Sequence, residues 1–229
     1  MLVNSYEFEK SRSLFTFDFT YNLMCSFIEH TEESVNTGIS SFKNNGPEVE
    51  EVEICAEEGI YQYVEHYKGL DSQEVILSYI FEDYFPNVQR RSAFLTLIAT
   101  YEHELERFCD NYASQNDTPV KLNELKGQGL ERIHLFVKKI IGLKSSNTFP
   151  IIKKIIKLRN SCAHNDAKLL EKDGQKINAI EELINDESIC VSQDGNQAHI
   201  HEGFLRYVLE KFDEYVNEIH ETIKAQGGA

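Results

Sequence analysis

No apolar run in this sequence reaches the roughly 18 residues that a membrane span needs, so no membrane association is expected. The opening stretch, MLVNSYEFEKSRSLF, carries acids early and lacks the apolar centre of a secretory signal. The five cysteines, Cys25, Cys55, Cys109, Cys162 and Cys190, are scattered, odd in number and without a CxxC pair. That pattern argues against a disulfide framework and suits reduced thiols, so a cytoplasmic location is expected. There is no P-loop, no GxGxxG and no G-x-S-x-G. No cofactor is expected, and no segment repeats.

What is present is an ordinary globular balance: 41% hydrophobic and 27% charged residues in a chain of 229, long enough to bury a real core. The net charge of −15 argues against non-specific attraction to nucleic acid by the surface as a whole. Its distribution changes that reading. Between Lys121 and Lys172 lie 12 lysines and arginines against 4 acids; the rest of the chain has 11 against 34. One basic segment thus sits inside an acidic protein. Its VKKI and IIKKIIK runs suit solvated helix faces as well as phosphate contacts, and both readings stand.

Hydrophobic spacing predicts a mostly helical fold. The stretch from about Ser13 to Phe42 reads as one long helix, with a strand near its start as an alternative. KNNGPEVEEVE, Lys43 to Glu53, reads as an acidic linker. A helix is expected from about Asp71 to Phe85, capped by Asp71 or Ser72 and ended or bent by Pro86. From Phe94, apolar residues recur at Leu97, Ile98, Tyr101, Leu105, Phe108, Cys109 and Tyr112, the helical period. Further helices are predicted over about Gly129–Ile141, from Asn147 or Thr148 through TFPIIKKIIKLRNSCAHN with Pro150 in its first turn, around Ile177–Ile184, and over about Glu202–Lys224. SICVSQDGNQAHIHE, with Asp194-Gly195 between two extended runs, predicts a β-hairpin. The domain reading is a helical extension with acidic linker over residues 1–70 and a helical domain over 71–229.

The chemistry concentrates in KLRNSCAHND, Lys157 to Asp166. At about 100° per residue, Ile155, Ile156, Arg159, Cys162 and Ala163 all fall within roughly 80° of Ile152. Arg159 therefore sits in an apolar stripe, where a guanidinium needs an anion or a cleft. Asn160 and His164, four residues apart, share the adjoining face.

The run Arg159-Asn160-Ser161-Cys162-Ala163-His164 resembles the R-x(4–6)-H signature of the HEPN superfamily, small all-α domains of which many are metal-independent endoribonucleases. The upstream helix YEHELERFC, Tyr101 to Cys109, resembles the acidic helix that packs beside the motif there. The resemblance runs over about Phe94 to Lys168, and leaves residues 1–70 and the hairpin unexplained. It implies an HEPN-like bundle acting on RNA in a toxin–antitoxin or phage-defence system. His164 would move protons, Arg159 would grip the phosphate, Asn160 would position the phosphate or the histidine, and two motifs would face each other in a homodimer. Glu102 is the expected acidic partner of Arg159 or His164, with Glu106 next. Lys138, Lys139, Lys153, Lys154 and Lys157 are the expected RNA contacts, and an antitoxin or regulatory protein is a further expected partner. The alternative is a catalytically silent HEPN-fold module that binds a protein or nucleotide through its acidic half.

Other groups carry weaker chemistry. Cys162 belongs on the apolar face and points away from His164, so a thiol–imidazole pair is not expected. His199 and His201 share one strand face but lack a third ligand, and no metal site is expected. His103 and His134 are read as surface histidines.

Overall fold

The 31-residue helix Phe85–Gln115 carries the apolar spacing that organises the larger part of the molecule. In the computed structural model, which describes the backbone of residues 5–171 and 173–227 and the side chains of 17–171 and 173–226, the chain is predominantly helical. Its order is α1 (Ser5–Asn45), β1 (Glu48–Cys55), β2 (Ile60–Tyr67), β3 (Leu70–Asp71), α2 (Leu77–Tyr79, continued by a π turn Ile80–Tyr84), α3 (Phe85–Gln115), α4 (Gly129–Phe136, continued by a π turn Val137–Ile141), α5 (Phe149–His164), α6 (Asn178–Ile184), β4 (Val191–Asp194), β5 (Gln197–Ile200) and α7 (Phe204–Gly227). Lys172, counted in the basic segment, lies outside the described residues.

The chain divides into two units, one of residues 1–28 with 93–229 and one of residues 29–92. In the first, α3 buries Phe94, Leu97, Ile98, Tyr101, Leu105, Phe108 and Cys109, the stripe that the spacing marked, while Tyr112 is half-buried. α7 lies against it through Tyr101 on Phe212, stacked at 4.7 Å, and Phe94 on Phe204 at 5.1 Å. α4 adds Leu130, Ile133 and Phe136, and α5 adds Ile152, Ile155, Leu158 and Cys162. The hairpin β4–β5 forms as expected, with Asp194 opposite Gln197 across a Gly195-Asn196 turn.

The second unit corrects the linker expectation. Glu48–Cys55 is a strand, not a linker, and pairs antiparallel with Ile60–Tyr67, which in turn pairs with β3. Asp71 and Ser72 serve this sheet and not a helix. Asp71 Oδ1 accepts from the amides of Gln73 (2.8 Å) and Glu74 (3.1 Å), and Ser72 Oγ accepts from the amide of Glu65 (2.9 Å). The next helix starts only at Leu77. Pro86 does not end it. The π turn Ile80–Tyr84 precedes Pro86 and runs on into α3, so the proline's missing N–H falls where the helical register changes. Within this unit Glu32 clamps the buried Arg90 with both carboxylate oxygens, at 2.8–3.1 Å, and Phe42, Tyr67, Phe81 and Phe85 form a ring cluster.

Candidate functional site

Helix α5 is fixed at both ends. At its start, Glu218 of α7 accepts hydrogen bonds from the amides of Asn147 (3.1 Å) and Thr148 (3.2 Å) and from the Thr148 hydroxyl (2.9 Å). The Ser146 hydroxyl donates to the same carboxylate and accepts from the amide of Phe149 at 2.8 Å. A carboxylate here meets the orphan amides and the positive end of the helix dipole. At its end, Asp166 and Ala167 take left-handed φ values of 53° and 57°. The Ser161 carbonyl accepts from the amides of Asn165 and Ala167, and its hydroxyl donates to the Lys168 carbonyl at 2.6 Å. His164 is thus the last helical residue before a locked turn.

Because Ile152, Ile155, Leu158 and Cys162 are buried in their own chain's core, the apolar stripe needs no second chain to cover it. Arg159 sits at the edge of that stripe and is half-buried. Its long side chain leaves the core for a cleft of about 460 Å³ lined by Glu102, Gln128, Gly129, Lys153, Lys154, Lys157 and Asn160, among others. Arg159 Nη1 donates to Asn160 Oδ1 at 3.0 Å. Its Nε is buried and has no hydrogen-bond partner among the described residues. His164 opens on a second cleft, of about 550 Å³, with Ser161, Asn165, Glu171 and Asp173. The two clefts share Lys157 and Asn160. The motif residues therefore border two neighbouring clefts with Lys157 and Asn160 in common, together the α5 groove: around Arg159, Lys153, Lys154 and Lys157 outweigh Glu102 and Glu131, whereas around His164 Lys157 meets Glu171 and Asp173.

The glutamates of α3 at 102, 104 and 106 have separate partners. Glu106 binds Arg132 at 2.8 Å and Glu104 binds Arg107 at 3.0 Å. Only Glu102 lines the cleft with Arg159. It sits over the start of α4, so close that a Cβ on Gly129 would lie 2.7 Å from Oε1. Gly129 also has a φ of +53°, in the left-handed region. The φ alone is expected to make Gly129→Ala cost about 1–3 kcal/mol in chemical unfolding, and any cost of pushing Glu102 aside adds to that. A variant as stable as the wild type would contradict both the backbone strain and the contact with Glu102.

The lysines divide too. Lys153, Lys154 and Lys157 line the cleft, although Lys154 also pairs with Glu182 at 2.7 Å. Lys138 and Lys139 are exposed on the π turn after α4 and are not part of its wall. Gln128, Gly129, Asn165 and Ser161 escaped the sequence reading. Gly129 and the Asn165-Asp166 pair did carry a signal, as residue types that favour left-handed turns.

His134 is not a surface histidine. Its ring stacks on Phe149 at 3.5 Å and its Nδ1 lies 2.8 Å from the Tyr215 hydroxyl. Burial pushes its pKa down to about 4, and Lys138 and Lys153 push the same way. The unfolded ring would take up its proton near the ordinary value of ~6.5. The unfolded state thus binds more protons between about 4 and ~6.5, so His134's contribution to stability is complete above ~6.5 and is lost as pH falls through that window. Urea titrations at pH 7 and 5 should show the wild type losing stability, and His134→Phe losing distinctly less. Equal losses would remove His134 as the cause.

His199 and His201 stack at 4.7 Å, and His201 Nε2 lies 2.7 Å from the Ser192 hydroxyl. Among the described residues no three His, Cys, Asp or Glu side chains converge as a metal site, and no helix is long and apolar enough to cross a membrane. Compared with known protein families, curated proteins and solved structures, the chain matches none.

Proposed function

We propose that this chain is a metal-independent endoribonuclease of HEPN type, serving a toxin–antitoxin or phage-defence system, and that the groove along α5 is its RNA site. The observation that carries this reading is the shared groove: Arg159 and His164, at the spacing of the motif, border adjacent clefts joined by Lys157 and Asn160. RNA supplies its own nucleophile. The 2′-hydroxyl loses its proton to a base and attacks the adjacent phosphorus. The P–O5′ bond breaks, the leaving oxygen takes a proton, and a 2′,3′-cyclic phosphate remains. Imidazole suits the proton transfers near neutral pH, and a guanidinium suits the charge that grows on the phosphoryl oxygens. Asn160 steadies Arg159 through the 3.0 Å hydrogen bond and leaves its buried Nε unengaged.

One Arg–His pair is thin for two proton transfers and a phosphate clamp, so a second copy supplies the second motif. The apolar stripe being internal, the two copies meet through the polar face that carries Lys157, Asn160 and His164. A second reading, the silent module, has one observation in its favour: the acidic surface that dominates outside the groove.

Binding separates the groove from the rest of the surface. Lys153→Glu with Lys157→Glu is expected to weaken binding of a single-stranded RNA at least tenfold and to flatten its salt dependence, whereas Lys138→Glu with Lys139→Glu changes it less. Equal effects, or none, would detach RNA from this groove.

A further inference from the structure

The hairpin β1–β2 presents a surface that neither the groove nor the core uses. Between Glu48 and Tyr67 there are seven carboxylates and no lysine or arginine. Strand β1 is the outer strand of the sheet order β1-β2-β3, so its far edge has no partner strand among the described residues. Of its eight residues, seven are exposed. Large apolar side chains are exposed with them: Tyr63 (68%), Val49 (62%), Ile54 (59%) and Tyr61 (51%). Charge on an edge is an ordinary guard against unwanted pairing. Exposed tyrosine, valine and isoleucine on the same ribbon are not, because they leave apolar surface for a partner to cover.

The register states what that partner is. Val49, Glu51 and Glu53 share a face with Glu65, Tyr63 and Tyr61, which stand directly opposite them on β2. Glu48, Glu50 and Val52 occupy the other face. A strand laid against the edge would meet carboxylates on both faces, and on one of them carboxylates flanked by tyrosine rings. Arginine satisfies both neighbours, by pairing with the acid and stacking on the ring. A second copy of β1 does not fit: antiparallel pairing about the midpoint of Glu50 and Glu51 would set Glu50 against Glu51 and Glu48 against Glu53. The irregularity between Glu53 and Cys55 ends the regular edge, leaving residues 48–53 for pairing.

We propose that β1 accepts an added strand at its free edge, supplied by an extended, arginine-bearing basic segment of another polypeptide. This inference is independent of the nuclease reading.

The test titrates full-length protein with the octapeptide (Arg-Val)₄ at physiological salt, beside (Arg-Pro)₄, which has the same charge but cannot build a ladder. The Pro peptide is expected to bind at least tenfold more weakly, as is (Arg-Val)₄ to the triple variant Glu50→Gln, Glu51→Gln, Glu53→Gln. Hydrogen exchange should slow on adding (Arg-Val)₄ at residues 48–53. These side chains are exposed, so the variant should melt with the wild type. Equal binding of the two peptides would reduce the surface to charge alone and overturn the proposal, as would protection confined to other residues. Self-association of the wild type that the triple variant abolishes would also overturn it, by assigning the face to a second copy.

Discussion

In His164→Ala, RNA cleavage is expected to fall about 10²- to 10⁴-fold while stability stays within about 0.5 kcal/mol of the wild type. The rate loss follows from removing a proton-transfer group, and the unchanged stability follows from where His164 sits. It is exposed and is the last residue of α5. The turn beyond it is held by Ser161, whose hydroxyl donates to the Lys168 carbonyl, and not by the imidazole. Arg159→Ala should lose cleavage comparably, with weaker RNA binding as well, because in the proposed mechanism the guanidinium would grip the phosphate in both ground and transition states. Arg159→Lys should rescue little, since an ammonium cannot form the bidentate fork. Single-turnover rates in the presence of EDTA, beside urea titrations, check both. Wild-type rates in His164→Ala would make the groove something other than a nuclease and favour the silent module.

A large loss of stability is also expected at Glu218. Its carboxylate accepts from two amides and the Thr148 hydroxyl, and takes the Ser146 hydroxyl as well, at the start of the 16-residue helix α5. Glu218→Ala strands those donors together and is expected to cost about 2–4 kcal/mol, with Glu218→Gln between it and the wild type. The urea midpoint should fall without a change in slope. A loss under about 0.5 kcal/mol would mean that α5 is held by its buried isoleucines alone.

The parts of the fold that were legible are those where burial imposes a period. The α3 stripe from Phe94 to Cys109 was readable residue by residue because one face of a long helix is covered along its length. The end of the α4 segment at Ile141 was readable because Gly142, at φ 88°, closes it. Strands β1 and β2 were not legible. Both faces of β1 are exposed, so no alternation of apolar and polar residues marks it, and Gly46-Pro47 with a glutamate run resembles a linker. Asp71 and Ser72 are good helix caps by residue type, but the end of the sheet takes them up, and α2 starts only at Leu77. At the site, helical spacing put Arg159 in the stripe but could not show its side chain leaving at the stripe's edge. Nothing local pointed to Glu218, about 70 residues away in sequence from the amides it caps. Nor did anything mark His134 as half-buried, since its shield, Phe149 and Tyr215, comes from two other helices.

The ends of the RNA fragments test the chemistry proposed for the α5 groove most directly. Purified protein is incubated with a defined single-stranded RNA in EDTA, and the products are read by mass spectrometry. Attack by the 2′-hydroxyl predicts 2′,3′-cyclic phosphate and 5′-hydroxyl ends, formed in EDTA and absent with His164→Ala. Fragments ending in 3′-hydroxyl, cleavage that EDTA stops, or no cleavage at any protein concentration would contradict it.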